Sequence, residues 1–176
     1  SVATDVLARI VEVKSGQRFD EYLEAHIFAP LGMVDTGFYV PEDKRERYAE
    51  LYRPKEEGGG IEVVEDIPHG DGPYRFFPSG GGGLVSTASD YMRFCQMLLN
   101  GGELAGERIL SRKTLELMTA NHWRDGMYDG TPARGWGFGV GVRLDERAIP
   151  LREDVRGWRI SVQGIFDRLS SEPEAA

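Results

Sequence analysis

The side chains that could act as nucleophiles gather around one stretch, Phe76 to Leu99. Ser79 stands directly before four consecutive glycines, Gly80 to Gly83, and Ser86 and Cys95 follow them. A hydroxyl attacks a carbonyl only when a base takes its proton and a further group orients that base. Neither serine has a base at a spacing the sequence displays, so turn or cap roles are expected of both. Cys95 falls on the apolar face of a predicted helix and reads as core rather than nucleophile. His26 lies on a predicted helix with no metal-ligand partner at useful spacing, which makes it a surface or packing residue. His69 sits in a Pro-His-Gly-Asp loop without a visible Ser or Cys partner. No residue is therefore assigned a catalytic role, and no metal or cofactor is expected.

Four glycines in a row cannot hold the interior of a helix or strand. They let the backbone pass close to another element or take positive φ angles. A glycine-rich turn before a helix also invites a phosphate-binding reading. However, no Lys-Ser or Lys-Thr pair opens the helix, and the run is not Gly-x-Gly-x-x-Gly, so a tight structural turn is the expectation. Thr87 is suited to cap the helix that follows, with Asp90 placed to close a capping box. Tyr91, Cys95 and Leu98 share one face, flanked by Met92 and Leu99, and Asn100-Gly101-Gly102 ends the helix.

The remaining elements follow from periodicity. Residues 3 to 14 predict a helix with Val6, Leu7, Ile10 and Val11 as its inward stripe, closed by Ser15-Gly16. A second helix begins near Asp20, with Phe19, Leu23 and Ile27 aligned, and is expected to stop at Pro30. Residues 41 to 75 are irregular: a solvated charge cluster, a loop tip at Gly58 to Gly60, a short strand from Ile61, and a turn-rich stretch from Asp66 to Pro73. Glu103 to Leu110 predicts a small hairpin. Ser111 caps a further helix with Leu115 and Met118 inward, and Asn121 to Thr131 reads as loop. Residues 135 to 144 alternate strictly, with Trp136, Phe138, Val140, Val142 and Leu144 on one face and four glycines on the other. One strand is expected there, its glycine face closely approached by another element. Pro150 to Ala176 loses this patterning and predicts a poorly ordered end.

The chain has 176 residues, 40% hydrophobic and 28% charged, as a soluble domain or part of one would have. A net charge of −8 argues against nucleic acid as a partner. No apolar run reaches the roughly 18 residues of a membrane span. One cysteine excludes an internal disulfide. With no signal segment at the start, the cytoplasm is slightly favoured, and the helix-ready start suggests a chain cut from something longer.

Five phrases in order resemble the serine β-lactamase-like family: class C β-lactamases, DD-peptidases and related esterases. They are residues 1–13, Ile-Phe-Ala-Pro-Leu-Gly-Met-Val-Asp-Thr-Gly-Phe (27–38), Gly-Gly-Gly-Leu-Val-Ser-Thr-Ala-Ser-Asp-Tyr-Met-Arg-Phe (81–94), Ile-Leu-Ser-Arg-Lys-Thr-Leu-Glu-Leu-Met (109–118) and Gly-Trp-Gly-Phe-Gly-Val-Gly (135–141). The resemblance is to the middle of that family, over residues 1 to 148, and looks most like its esterase branch. It implies an α+β fold with helices packed against part of an antiparallel sheet. It also implies acyl transfer on a small-molecule ester or amide by the intact enzyme, through a Ser-x-x-Lys serine, a motif tyrosine and an oxyanion strand.

None of those motifs is present. The residues three before Lys14, Lys44, Lys55 and Lys113 are Val11, Pro41, Tyr52 and Leu110. Ser1-Val2 matches the two residues after the motif tyrosine, and Arg152 to Ile160 does not match the oxyanion strand. The expectation is a fragment inactive alone, with residues 149–176 a divergent end or an out-of-frame translation. What the resemblance carries over is a substrate-cleft wall at Gly81, Gly82 and Gly83, opened by Gly82 toward bulky acyl groups. Trp136 either reaches the same cleft or fills the core, and the face it shares with Phe138 and Val140 favours the core. The alternative is a non-catalytic binding or assembly domain, homo-oligomeric through the exposed edge of strand 135–144.

Overall fold

The computed structural model describes residues 2–50, 52–55, 58–63, 77–123 and 134–143. Helices and three two-stranded antiparallel sheets make up the described elements, the α+β class expected. The chain forms two compact units, Ser1–Arg93 and Phe94–Ala176. His69, the loop from Asp66 to Pro73, the loop beyond Trp123, and residues 149–176 lie outside the described residues.

The first unit opens with α1 (Val2–Ser15), closed where Gly16 takes φ 72°. Of its predicted inward stripe only Val11 is half-buried. Val6, Leu7 and Ile10 are at least half exposed, and Ala8 is the buried residue. The face turned inward is the one where Gly80 meets the Thr4 backbone and the Ala8 methyl. The next helix runs α2 (Phe19–Leu23), a π-helical turn (Glu24–Phe28) and α3 (Ala29–Leu31), ended by Gly32 at φ 64°. Pro30 does not stop it. The wider π turn ends at Phe28, with one residue between it and the proline, which sits in the first turn of α3, where no N–H is needed. The same turn shifts the helical phase. Phe19, Leu23 and Ile27 are only half-buried, and Phe28 and Leu31 enter the core with Met33 and Phe38. Phe19 tilts against Phe38 with ring centres 6.0 Å apart.

A 3₁₀ turn (Glu42–Arg47) replaces the purely solvated charge cluster expected, because two of its cations find a carboxylate. Lys44 Nζ lies 2.7 Å and Arg47 Nη2 2.8 Å from the two oxygens of Asp35. β1 (Tyr52–Pro54) pairs with β2 (Ile61–Val63) around the tip at Gly58 to Gly60, all three at positive φ.

α4 (Ala88–Leu99) continues into the second unit, where Cys95, Met97 and Leu98 are buried. It ends as the glycines dictate: Gly101 and Gly102 take φ 78° and 95°, and the Gly102 amide donates to the Met97 carbonyl at 2.9 Å. β3 (Glu103–Leu104) and β4 (Glu107–Arg108) form the predicted hairpin. Ser111 caps α5 (Arg112–Thr119), accepting from the Thr114 amide at 3.0 Å. Residues 135–144 do not form one strand. β5 (Arg134–Trp136) and β6 (Gly141–Arg143) form a hairpin, with the Gly137 amide donating to the Val140 carbonyl at 2.8 Å and Gly139 turning at φ 77°. Alternation alone could not reveal this break, because the turn residues continue the same pattern. The close approach to glycine is present. A Cβ on Gly137 would strike the Met118 carbonyl, and one on Gly135 the Asn121 amide.

Candidate functional site

The glycine turn is held in place by α1. Ser79 Oγ donates to Asp5 Oδ1 at 2.5 Å and accepts from the Gly81 amide at 3.0 Å. Gly80 lies so close to α1 that a Cβ would collide with the Thr4 carbonyl oxygen and sit 3.0 Å from the Ala8 methyl. Gly83 takes φ 86°. Nothing lies within 4 Å of the position a Gly82 Cβ would occupy. The turn is thus packed on α1 at Gly80, open at Gly82 and left-handed at Gly83.

Beyond the turn, Val85 pairs with Gly37 through two backbone hydrogen bonds of 2.8 and 3.0 Å. Thr87 caps α4, accepting from the Asp90 amide at 3.2 Å. The Asp90 carboxylate does not close a capping box. It is buried and accepts from the Asp35 amide at 2.7 Å and the Thr36 hydroxyl at 2.9 Å. Thr36 also meets the Ser86 hydroxyl at 2.8 Å. Asp90 therefore ties the Asp35–Thr36 turn to the start of the helix behind the glycines. Sequence reasoning missed Asp5, Thr36 and Asp90 in these roles, since their partners are 50 or more residues away. The Asp-Thr-Gly sequence after Met33 was the local signal.

Both tempting serines thus have structural partners. Ser86 meets two hydroxyl-bearing neighbours, Thr36 by its side chain and Thr87 by its carbonyl. The shifted acids belong to surface clamps. Hydrogen bonds from Arg47 and then Lys44 hold Asp35 at about 2. Arg9, then the Phe19 amide, lower Glu12, and Arg18 lowers Asp20. Burial pushes the Cys95 thiol up, which suits a core residue. His26 is exposed, packs on Tyr22 and contacts Gln17 at 3.3 Å, a surface histidine as expected.

A depression of about 350 Å³ beside α1 is lined by Asp5, Arg9, Glu12, Phe77 and Pro78 among others. Its charges pair locally, Arg9 with Glu12 at 2.8 Å, so it presents no acid–base pair for catalysis. Among the described residues no group of three His, Cys, Asp or Glu side chains could hold a metal ion. No helix among them is long and apolar enough to cross a membrane.

Trp136 lies in the second unit, on β5. It is 36% exposed and so is not the core residue its pattern favoured, because the buried positions on either side of it are Gly135 and Gly137. Its neighbour Phe138 is exposed and stacks on His122, ring centres 4.2 Å apart.

A family model described as Beta-lactamase matches residues 1–166. Protein Rv1367c of Mycobacterium tuberculosis is 37% identical over 152 residues, covering 82% of this chain and 37% of that protein. Esterase EstB of Burkholderia gladioli is 32% identical over 165 residues, covering 84% of this chain and 39% of the esterase. Among solved structures, EstCE1, a hydrolase with promiscuous acyltransferase activity, superposes with a TM-score of 0.67 at 28% identity, covering 84% of this chain and 41% of its own. The chain thus spans about two fifths of the length of the proteins it matches.

Proposed function

The chain belongs to the beta-lactamase family, and from that premise we propose that it is the cleft-wall portion of a serine hydrolase acting by acyl transfer on esters or amides. The observation that carries this reading is the glycine turn: anchored to α1 at Ser79 and Gly80, open at Gly82 and left-handed at Gly83. Such a wall admits a bulky acyl group without a side chain to exclude it. Likeness to an esterase and to a hydrolase with acyltransferase activity supports the esterase-like branch. On this reading residues 1–148 carry the partial domain and the divergent end follows, although the family model runs on to residue 166.

The 176 residues contain no Ser-x-x-Lys, and Ser79 and Ser86 both serve as structural ties. Both facts support the reading that the isolated chain is inactive. Its hydrolysis of nitrophenyl esters and cephalosporins is expected to equal that of a Ser79→Ala, Ser86→Ala control. Turnover that the two changes abolish would overturn the reading.

A second reading, a non-catalytic assembly domain, is favoured by one observation. Among the described residues β5 and β6 pair only with each other, with Trp136 and Phe138 exposed on their hairpin. A defined oligomer in size-exclusion chromatography, dissociated by Phe138→Glu, supports it. A monomer or disperse aggregate counts against it.

A further inference from the structure

Two anchors hold the open stretch of the glycine turn. Ser79 and Gly80 rest on α1, at Asp5 and at the Thr4 backbone. At the other end Val85 pairs with Gly37, and the Ser86 hydroxyl meets Thr36. Gly82, between them, has nothing near the position of its missing Cβ, so it stands where the anchors put it. The first anchor is helix backbone. The second is a short turn, Asp35 to Gly37, which takes its position from the groups that grip it.

Asp35 is gripped from two sides. Its amide donates to the buried Asp90 carboxylate at 2.7 Å. Its own carboxylate receives Lys44 at 2.7 Å and Arg47 at 2.8 Å, both from the 3₁₀ turn. Lys44 also donates to the Val34 carbonyl at 2.8 Å, next to Asp35 in the backbone. The inner tie brings two carboxylates, Asp35 and Asp90, to one turn, where like charges repel. The two cations offset that repulsion. Asp35 first, and Asp90 after it, hold the Arg47 guanidinium above its ordinary range, so one cation serves both acids.

We propose that Lys44 and Arg47 are positioning residues of the glycine wall: they latch the Asp35–Gly37 turn, which sets through Val85 and Ser86 where the open glycine stretch stands. Without them Asp35 is pushed away from Asp90, the Gly37–Val85 bridge opens more often, and the wall loses its fixed place. Selection among acyl groups by the shape of that wall is then relaxed. The inference rests on the reading of this turn as a cleft wall. Its test reads the turn itself, so the latch can fail while that reading stands, and hydrolysis assays leave the latch untouched.

The test is site-resolved amide exchange of the full chain by NMR. The Gly37 and Val85 amides both donate across the bridge, at 3.0 and 2.8 Å. In a Lys44→Met, Arg47→Met variant both are expected to exchange about tenfold faster, and the Gly82 and Gly83 amide resonances to shift. The mid-helix amides of Ala8 in α1 and Cys95 in α4 keep their rates. Lys44→Arg, which keeps a cation, stays within about twofold of the parent. Arg53→Met breaks the 2.7 Å pair with Glu62 in the β1–β2 hairpin and leaves the bridge amides unchanged. In the parent, raising salt from about 0.1 M to about 1 M cuts the screening length from about 10 Å to about 3 Å and speeds the same two amides. In the double variant it does not. Bridge amides indifferent to the double variant, or to salt in the parent, overturn the proposal. So does acceleration shared equally by Ala8 and Cys95, which would make the two cations general stabilisers of the fold.

Discussion

Alanine at Gly80 and alanine at Gly82 should have opposite effects, although the two glycines are separated by one residue in the same run. At Gly80 the new methyl would meet the Thr4 carbonyl oxygen, with its carbon at 2.8 Å and the Ala8 methyl at 3.0 Å. The obstacle is helix backbone, which no rotamer change can move aside. Overpacking of this kind costs about 1–3 kcal/mol, and a backbone obstacle belongs at the upper end. Alanine recovers roughly 0.4–1 kcal/mol by restricting the unfolded chain, leaving a net loss of about 2 kcal/mol. At Gly82 nothing lies within 4 Å and φ is not in the left-handed region. Only the unfolded-state term remains, a gain of about 0.4–1 kcal/mol. Urea unfolding followed by circular dichroism gives the two midpoints, and amide exchange in α1 locates the loss. For a slope near 2 kcal/mol/M, Gly80→Ala lowers the midpoint by about 1 M and Gly82→Ala raises it slightly. Equal midpoints, or loss at Gly82→Ala with none at Gly80→Ala, would refute the packing of this turn on α1.

Three further outcomes follow from the same structure. Asp35, at about 2 when folded against an ordinary 3.8, lends stability that is complete above pH ~4 and lost as the pH falls through 2. Asp35→Asn should flatten the stability profile between pH 4 and 2, as acid titration of the unfolding midpoint would read. Asp90→Ala leaves the Asp35 amide and Thr36 hydroxyl without their acceptor at a buried site, a loss of about 2–3 kcal/mol in urea unfolding; Asp90→Asn, which keeps an oxygen, costs less. The Cys95 thiol, fully buried, should react with an aromatic disulfide reagent only as fast as the protein opens, accelerating with urea below the transition.

The sequence carried the elements whose signals are local. Thr87 and Ser111 mark helix starts, Gly101-Gly102 a helix end, and Ala105-Gly106 lies at the turn of a two-residue hairpin. Features depending on distant or compensating partners were hidden. Pro30 carries a stop signal, but the π turn before it is invisible to a 3.6-residue period. The alternation from Gly135 runs unbroken through a turn that only the φ of Gly139 exposes. The stripe of α1 was legible as apolar but not as uncovered, because what a stripe faces is decided by other elements. At the candidate site the run of glycines was legible, whereas Asp5, Thr36 and Asp90, whose hydrogen bonds surround it, pair across 50 or more residues.

The central claim is that this chain shapes an acyl-transfer cleft without supplying its nucleophile. Treatment with a fluorophosphonate, which labels activated serines, followed by intact-mass and peptide mapping, tests it most directly. The account predicts an unmodified chain, with Ser79 and Ser86 as inert as in urea-unfolded protein. A stoichiometric adduct on either serine, formed by the folded chain and lost on unfolding, would contradict it.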